Sequence, residues 1–148
     1  MPSNDDCKIV KIWTDGSIKG GNPGGWGVGG FVVQADYCGY SNSGTIDLGK
    51  SDTMTNNIAE YSAVVAALKH AICCTVLDSP TEVAIHSDSK LVVEQCNDNW
   101  QCSNFRLSQL RDEIWAMCES FDCEVTFTWI PREENFLADE VSRSLYDE

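Results

Sequence analysis

Lys8-Ile9-Val10-Lys11-Ile12-Trp13-Thr14-Asp15-Gly16-Ser17 is the stretch on which the fold turns. Its Ile, Val and Trp content and period-two alternation predict a strand over 8–14, with Ile9, Lys11, Trp13 and Asp15 on one face. An acid that ends such a strand and precedes glycine has an ordinary reading as a turn residue. It gains weight only if other elements end in the same way.

Working outward, 16–25 reads as a turn region around Asn22-Pro23-Gly24, 26–34 as a glycine-containing strand and 44–48 as a third strand. Short polar turns between them favour an antiparallel meander. Ile58, Val64, Ala67, Leu68 and Ala71 then recur at helical spacing and predict a helix over 57–71. A short strand (83–86), a short helix (89–95), a longer amphipathic helix (105–120), a strand (125–130) and a final helix (135–145) follow. This order implies an α/β fold. Its five-stranded mixed sheet has three antiparallel strands, then two parallel ones, with helices on both faces. Neither repeat nor linker interrupts the pattern, so one domain is expected over 8–146, after a flexible N-terminus over 1–7.

The 148 residues are 43% hydrophobic, enough to bury a core without metal staples or disulfides. No secretory signal and no apolar run of membrane-spanning length is present, which predicts an intracellular, cytoplasmic protein with no membrane partner. Eight cysteines are many for this length, yet they form no C-x-x-C pair, and His70 and His86 fall in regular segments. Free buried thiols are therefore expected rather than a zinc site or disulfides. The net charge of −13 is awkward for a protein that grips phosphates, because counterion release by basic side chains drives most such affinity. The same charge suits a carboxylate cluster that needs divalent cations to approach a polyanion. The motifs must decide.

Four acids stand at the boundaries of predicted elements. Asp15 closes the first strand, Glu60 lies in the first turn of the first helix, Asp88 closes the fourth strand, and Asp139 sits in the last helix. Individually, Glu60 could complete a capping box with Asn57, Asp88 could be an N-cap and Asp139 a solvated helix charge. Together their settings are specific: Thr14-Asp15-Gly16-Ser17, Asn22-Pro23-Gly24, Thr55-Asn56-Asn57-Ile58-Ala59-Glu60, Ser87-Asp88-Ser89, and Asn135 four residues before Asp139.

In these five motifs, in this order and over about 8–145, the chain resembles the type 1 ribonuclease H family. The resemblance implies an RNase H-like fold and an endonuclease that cuts the RNA strand of RNA–DNA hybrids, leaving 5′-phosphate and 3′-hydroxyl ends. It also implies two Mg2+ ions, with Mn2+ as a substitute. Asp15 would bridge the ions, Glu60 and Asp88 would hold the nucleophile-side ion, and Asp139 would help hold the other. Hard cations prefer such oxygen ligands, and clustered carboxylates repel one another without them.

The resemblance further places Asn22, Asn56 and Asn57 along the hybrid minor groove and Thr55 near a DNA phosphate. Turn and cap chemistry is the ordinary alternative for the asparagines. Two features depart from the family pattern. The loop after the last strand, Trp129-Ile130-Pro131-Arg132-Glu133-Glu134-Asn135, lacks the histidine of many bacterial members, and Arg132 is the candidate to contact a phosphate there. The stretch from Cys96 to Asn104 lacks the lysines that form a basic handle in some members; Trp100 within it reads as core packing in preference to stacking on substrate. A protein partner supplying basic surface would fill that gap. The rival readings are a non-catalytic RNase H-like nucleic-acid-binding or interaction module, and a DNA nuclease or resolvase on the same fold. Four retained acids speak against the first, and Thr55-Asn56-Asn57 against the second.

Overall fold

A computed structural model describes residues 7–74 and 76–144. The expected flexible N-terminus, apart from Cys7, lies outside the described residues, as do Leu145 and Tyr146 at the expected domain end. In chain order the elements are β1 (Ile9–Lys19), β2 (Trp26–Ala35), β3 (Tyr40–Lys50), α1 (Asn56–Cys73), β4 (Glu82–Ser87), α2 (Lys90–Cys96), α3 (Phe105–Glu119), β5 (Glu124–Trp129) and α4 (Phe136–Arg143). The five strands form one sheet in the order β3-β2-β1-β4-β5. β1 runs antiparallel to β2 and parallel to β4, β2 pairs antiparallel with β3, and β4 pairs parallel with β5. This is the mixed sheet expected from the element order.

Two adjacent residues of the β1–β2 ladder show how the helices cover it. Asp15 pairs with Gly30, and a Cβ at Gly30 would lie 2.5 Å from the Ser142 nitrogen of α4. Gly16 is next along β1, and a Cβ there would lie 2.3 Å from the Ala59 carbonyl of α1. Successive strand residues face opposite sides of a sheet, so α1 and α4 pack on opposite faces. Glycine is required where these backbones touch the sheet. The core on the α1 side gathers Val10, Ile12, Val33, Val64, Leu68, Val83 and Ile85, extended by Leu107, Leu110 and Ile114 of α3.

The structure corrects several boundaries. β1 does not end at Thr14 but continues through Asp15 to Lys19, paired with Trp26, so Asp15 lies inside the strand. Gly16, which suggested a turn, is where the sheet accepts α1, and the turn itself falls at 20–25 between β1 and β2. β3 is longer than 44–48, because exposed Ser41, Asn42 and Ser43 form a polar sheet edge rather than a loop. The expected burial of Trp100 is wrong; its residue is 43% exposed after α2. Buried thiols are found at Cys96, but Cys7, Cys38 and Cys73 are exposed. His70 and His86 do lie in α1 and β4, one hydrogen-bonded to the Tyr40 hydroxyl and the other stacked on Trp13. Among the described residues, no helix is long and apolar enough to cross a membrane.

Candidate active site

The parallel β1–β4 pair sets the site. Its register matches Thr14 to Ser87, so the next residues, Asp15 and Asp88, emerge side by side at the same edge of the sheet. Asp88 follows β4 directly, and Ser89 caps α2 by accepting from the Val92 N–H, so the N-cap reading belongs to Ser89 and not to Asp88. The Trp129 indole N–H donates to the Asp88 carbonyl at 3.1 Å, fixing the backbone there.

Glu60 arrives from the other side. Thr55 is the N-cap of α1 and accepts from Ile58 N–H, which places Glu60 in the second helical turn rather than the first and removes the capping-box reading. Its Oε1 accepts from the Gly16 N–H at 2.9 Å, while Oε2 is buried without a hydrogen-bond partner. One oxygen each from Asp15, Glu60 and Asp88 lies within 4.8 Å of the others. Asp139 joins from α4, near enough for its charge to raise Asp15, and is paired with Arg143 at 3.6 Å. All four acids line one cleft of about 540 Å³, together with Gly16, Ser17, Asn56, Ser89, Arg132 and Arg143.

Such crowding is costly without compensation. Burial, reinforced by the charges of Asp88 and Asp139, pushes Asp15 up to about 7. Burial and the neighbouring Asp15 and Asp88 raise Glu60 well above the carboxylate range, against the lowering effect of the Gly16 N–H. Burial also raises Asp88, opposed by a hydrogen bond from Asn135 and the charge of Arg132. Three acids whose ionisation is disfavoured without a cation, with a buried carboxylate oxygen left unbonded, form a donor set suited to a hard divalent cation.

The predicted substrate residues divide. Asn56 and Arg132 line the cleft. Asn56 Oδ1 accepts from the Ile18 N–H at 3.1 Å, and Asn22 Oδ1 accepts from the Asn56 N–H at 3.4 Å, so both brace the β1–α1 junction through the turn chemistry open to asparagine. Thr55 is occupied as a cap, and Asn57 is exposed outside the cleft lining. Sequence reasoning gave no role to Arg143 or to Asn135. Arg143 carried a readable signal, since four residues from Asp139 is one helical turn. Asn135 was visible only as part of a motif, with nothing to reveal that it is fully buried.

Sheet order, opposed helices and a carboxylate cluster where β1, β4, α1 and α4 meet define an RNase H-like protein. A family model described as reverse transcriptase-like matches residues 14–145, and the chain belongs to this family, of the ribonuclease H type 1 kind. It is 33% identical over 138 residues to a bifunctional protein of Mycobacterium tuberculosis, covering 93% of this chain and 35% of that one. The chain thus spans about a third of the length of that curated relative. The solved N-terminal RNase H domain of the same mycobacterial protein, fused to maltose-binding protein, superposes with a TM-score of 0.80 at 31% identity, over 95% of this chain and 94% of that one. RNase H1 of the halophilic archaeon Halobacterium salinarum gives 0.78 at 28% identity, covering 95% and 99%. The LC11-RNase H1 structure, solved with an RNA/DNA hybrid, gives 0.78 at 25% identity, covering 91% and 94%.

Proposed function

We propose that the protein is a metal-dependent endoribonuclease that hydrolyses the RNA strand of RNA–DNA hybrids, leaving 5′-phosphate and 3′-hydroxyl ends. The observation that carries this is the convergence of Asp15, Glu60 and Asp88 within 4.8 Å, with Asp139 in the same cleft. A similar structure solved with an RNA/DNA hybrid supports the substrate class. The unit responsible is one RNase H domain over 8–146, and a cytoplasmic location belongs to the same reading.

Asp15, Glu60, Asp88 and Asp139 are the residues that would hold the metal, two Mg2+ ions or Mn2+ in their place. When bound, these cations would lower the pKa of a water nucleophile and neutralise charge on the phosphate and its leaving oxygen. The chain's own contribution is placement. The Gly16 N–H orients Glu60, the β1–β4 register sets Asp15 beside Asp88, and α4 carries Asp139 to the cleft. Arg132 offers a planar cation to a substrate phosphate. Asn22, Asn56 and Asn57 belong to the rim that meets the hybrid, with side-chain amides able to donate to or accept from a 2′-hydroxyl, and Thr55 meets a DNA phosphate.

The test is incubation of purified protein with labelled hybrid, single-stranded RNA, double-stranded RNA and duplex DNA, each with Mg2+ or EDTA. Cleavage confined to the RNA of the hybrid and lost in EDTA is expected. Equal cutting of duplex DNA would favour a resolvase-like activity. The net charge of −13 favours a second reading, a non-catalytic binding module, and hybrid binding without cleavage under any divalent cation would establish it.

A further inference from the structure

Arg143 closes α4 one turn beyond Asp139, its Nη1 3.6 Å from Asp139 Oδ2. The guanidinium lines the same cleft as the acids; its side chain is 63% exposed, against 25% for Asp139. Asp15, Glu60 and Asp88 offer mutually close oxygens ready for one cation, and Asp139 is not part of that group. Instead Asp139 is paired with a side-chain cation on its own helix. The four acids are therefore not equivalent.

We infer that Arg143 is a positioning residue that competes with a divalent cation for Asp139. It balances the Asp139 charge at the cleft rim until metal takes its place, and so makes the second metal-binding step weaker than the first. The inference rests on the metal-binding reading of the site proposed above. Three physical points support it. A cation in the last turn of a helix, one turn after an acid, is favoured by both the helix dipole and the pair itself. A single 3.6 Å contact with a well-exposed guanidinium is weak enough to exchange, unlike a buried bidentate pair. Once released, the Arg143 head can return to water, so displacement leaves no buried charge behind.

The experiment is a calorimetric titration of Mn2+ into the full chain without substrate, comparing wild type with Arg143→Gln, Arg143→Lys and Arg132→Gln. The wild type should bind in a tighter and a weaker step. Arg143→Gln should tighten the weaker step about two- to five-fold, the size of an exposed ion pair, while Arg143→Lys stays close to wild type. Arg132→Gln removes an equal charge from the same cleft without releasing Asp139, so its weaker step should not move in this way. A weaker step unchanged in Arg143→Gln, or shifted equally by Arg132→Gln, overturns the inference while leaving the metal site intact. No heat from the wild type overturns the metal reading as well. Circular dichroism of each variant checks that the fold is retained, and Arg143→Ala, which also removes the cation, replaces the glutamine variant if that one unfolds.

Discussion

The buried Asn135 side chain donates from Nδ2 to the Thr14 carbonyl at 2.8 Å, tying the start of α4 to β1 across 121 residues of chain. The same amide faces Asp88 and favours its ionised form. One side chain thus joins three of the segments that present the catalytic candidates. Asn135→Ala should lower stability by about 1–3 kcal/mol, the range for leaving buried polar partners unmatched. Hybrid cleavage should fall further than the unfolded fraction explains, because Asp88 and Asp139 lose their common anchor. Urea unfolding and cleavage at a temperature where the variant is fully folded measure the two effects separately. Full activity under those conditions would reduce Asn135 to a structural role.

Asp15 supports a prediction about both activity and pH. Asp15→Asn keeps the shape and removes a metal-binding charge, so cleavage should be lost while the fold persists. Asp15 is pushed up to about 7 in the folded chain, against a reference near 3.8. Between those values the folded, metal-free protein holds a proton that the unfolded chain has released. Its stability must therefore fall as pH rises through this window. Glu60 and Asp88 are raised too and act in the same direction. In EDTA the wild type should melt lower at pH 8 than at pH 5, Asp15→Asn should show a shallower dependence, and Mg2+ should restore stability at the higher pH. A wild-type melting temperature that climbs from pH 5 to pH 8 in EDTA contradicts the assignment.

Gly16→Ala tests the close approach of α1 to β1. The added methyl would sit 2.3 Å from the Ala59 carbonyl carbon and 2.5 Å from the Glu60 nitrogen, so the helix must retreat. Overpacking of this kind costs about 1–3 kcal/mol, and the retreat also breaks the Gly16 N–H to Glu60 Oε1 bond that aims the carboxylate. Reduced melting temperature together with weakened Mn2+ binding is expected. Weakened stability with unchanged metal affinity would show that the bond does not position Glu60.

Element order and the four acids were legible because they are written locally, in apolar periodicity and in acids beside glycine, serine and asparagine. What escaped was set by partners distant in sequence. Gly16 to Lys19 reads as a turn until its pairing with β2 is known, since Gly16 serves the approach of α1 rather than a reversal. Thr55 displaced Asn57 as the helix cap, a shift of two residues that periodicity cannot resolve and that moved Glu60 into the second turn. Trp100 looked like core because tryptophan usually is. It is exposed together with Asn97, Asp98, Asn99 and Gln101 in the stretch after α2, which composition alone does not reveal.

The acidic balance of the chain bears on how it meets a polyanion. Of ten basic residues against a net charge of −13, Lys69 is paired with Glu113, Arg111 with Asp112, and Arg143 with Asp139. Arg132 lines the cleft, and Lys90 opens α2 beside Ser89, a cleft residue, so few of the ten cations are placed at the cleft itself. The log of the binding constant falls with log salt by about 0.9 per neutralised phosphate on B-form DNA. Hybrid binding should therefore be weak, shallow in salt, and strongly reduced when divalent cations are removed. The loop between α2 and α3 is where added charge can be tested without disturbing the fold. Asn97 donates to the Phe127 carbonyl, Asn104 caps α3, and Asp98 has a positive φ of 61°, so these three are left alone. Asn99, Gln101 and Ser103 are exposed, and lysine at all three adds a basic rim. Such a surface touches substrate equally before and during the reaction, so KM should drop more than kcat rises, and the salt slope should steepen by up to about 0.9 for each new phosphate contact. Tight, steeply salt-dependent binding by the unmodified chain in EDTA would mean that its few cations are concentrated on the hybrid-facing surface and that the carboxylates carry less of the recognition.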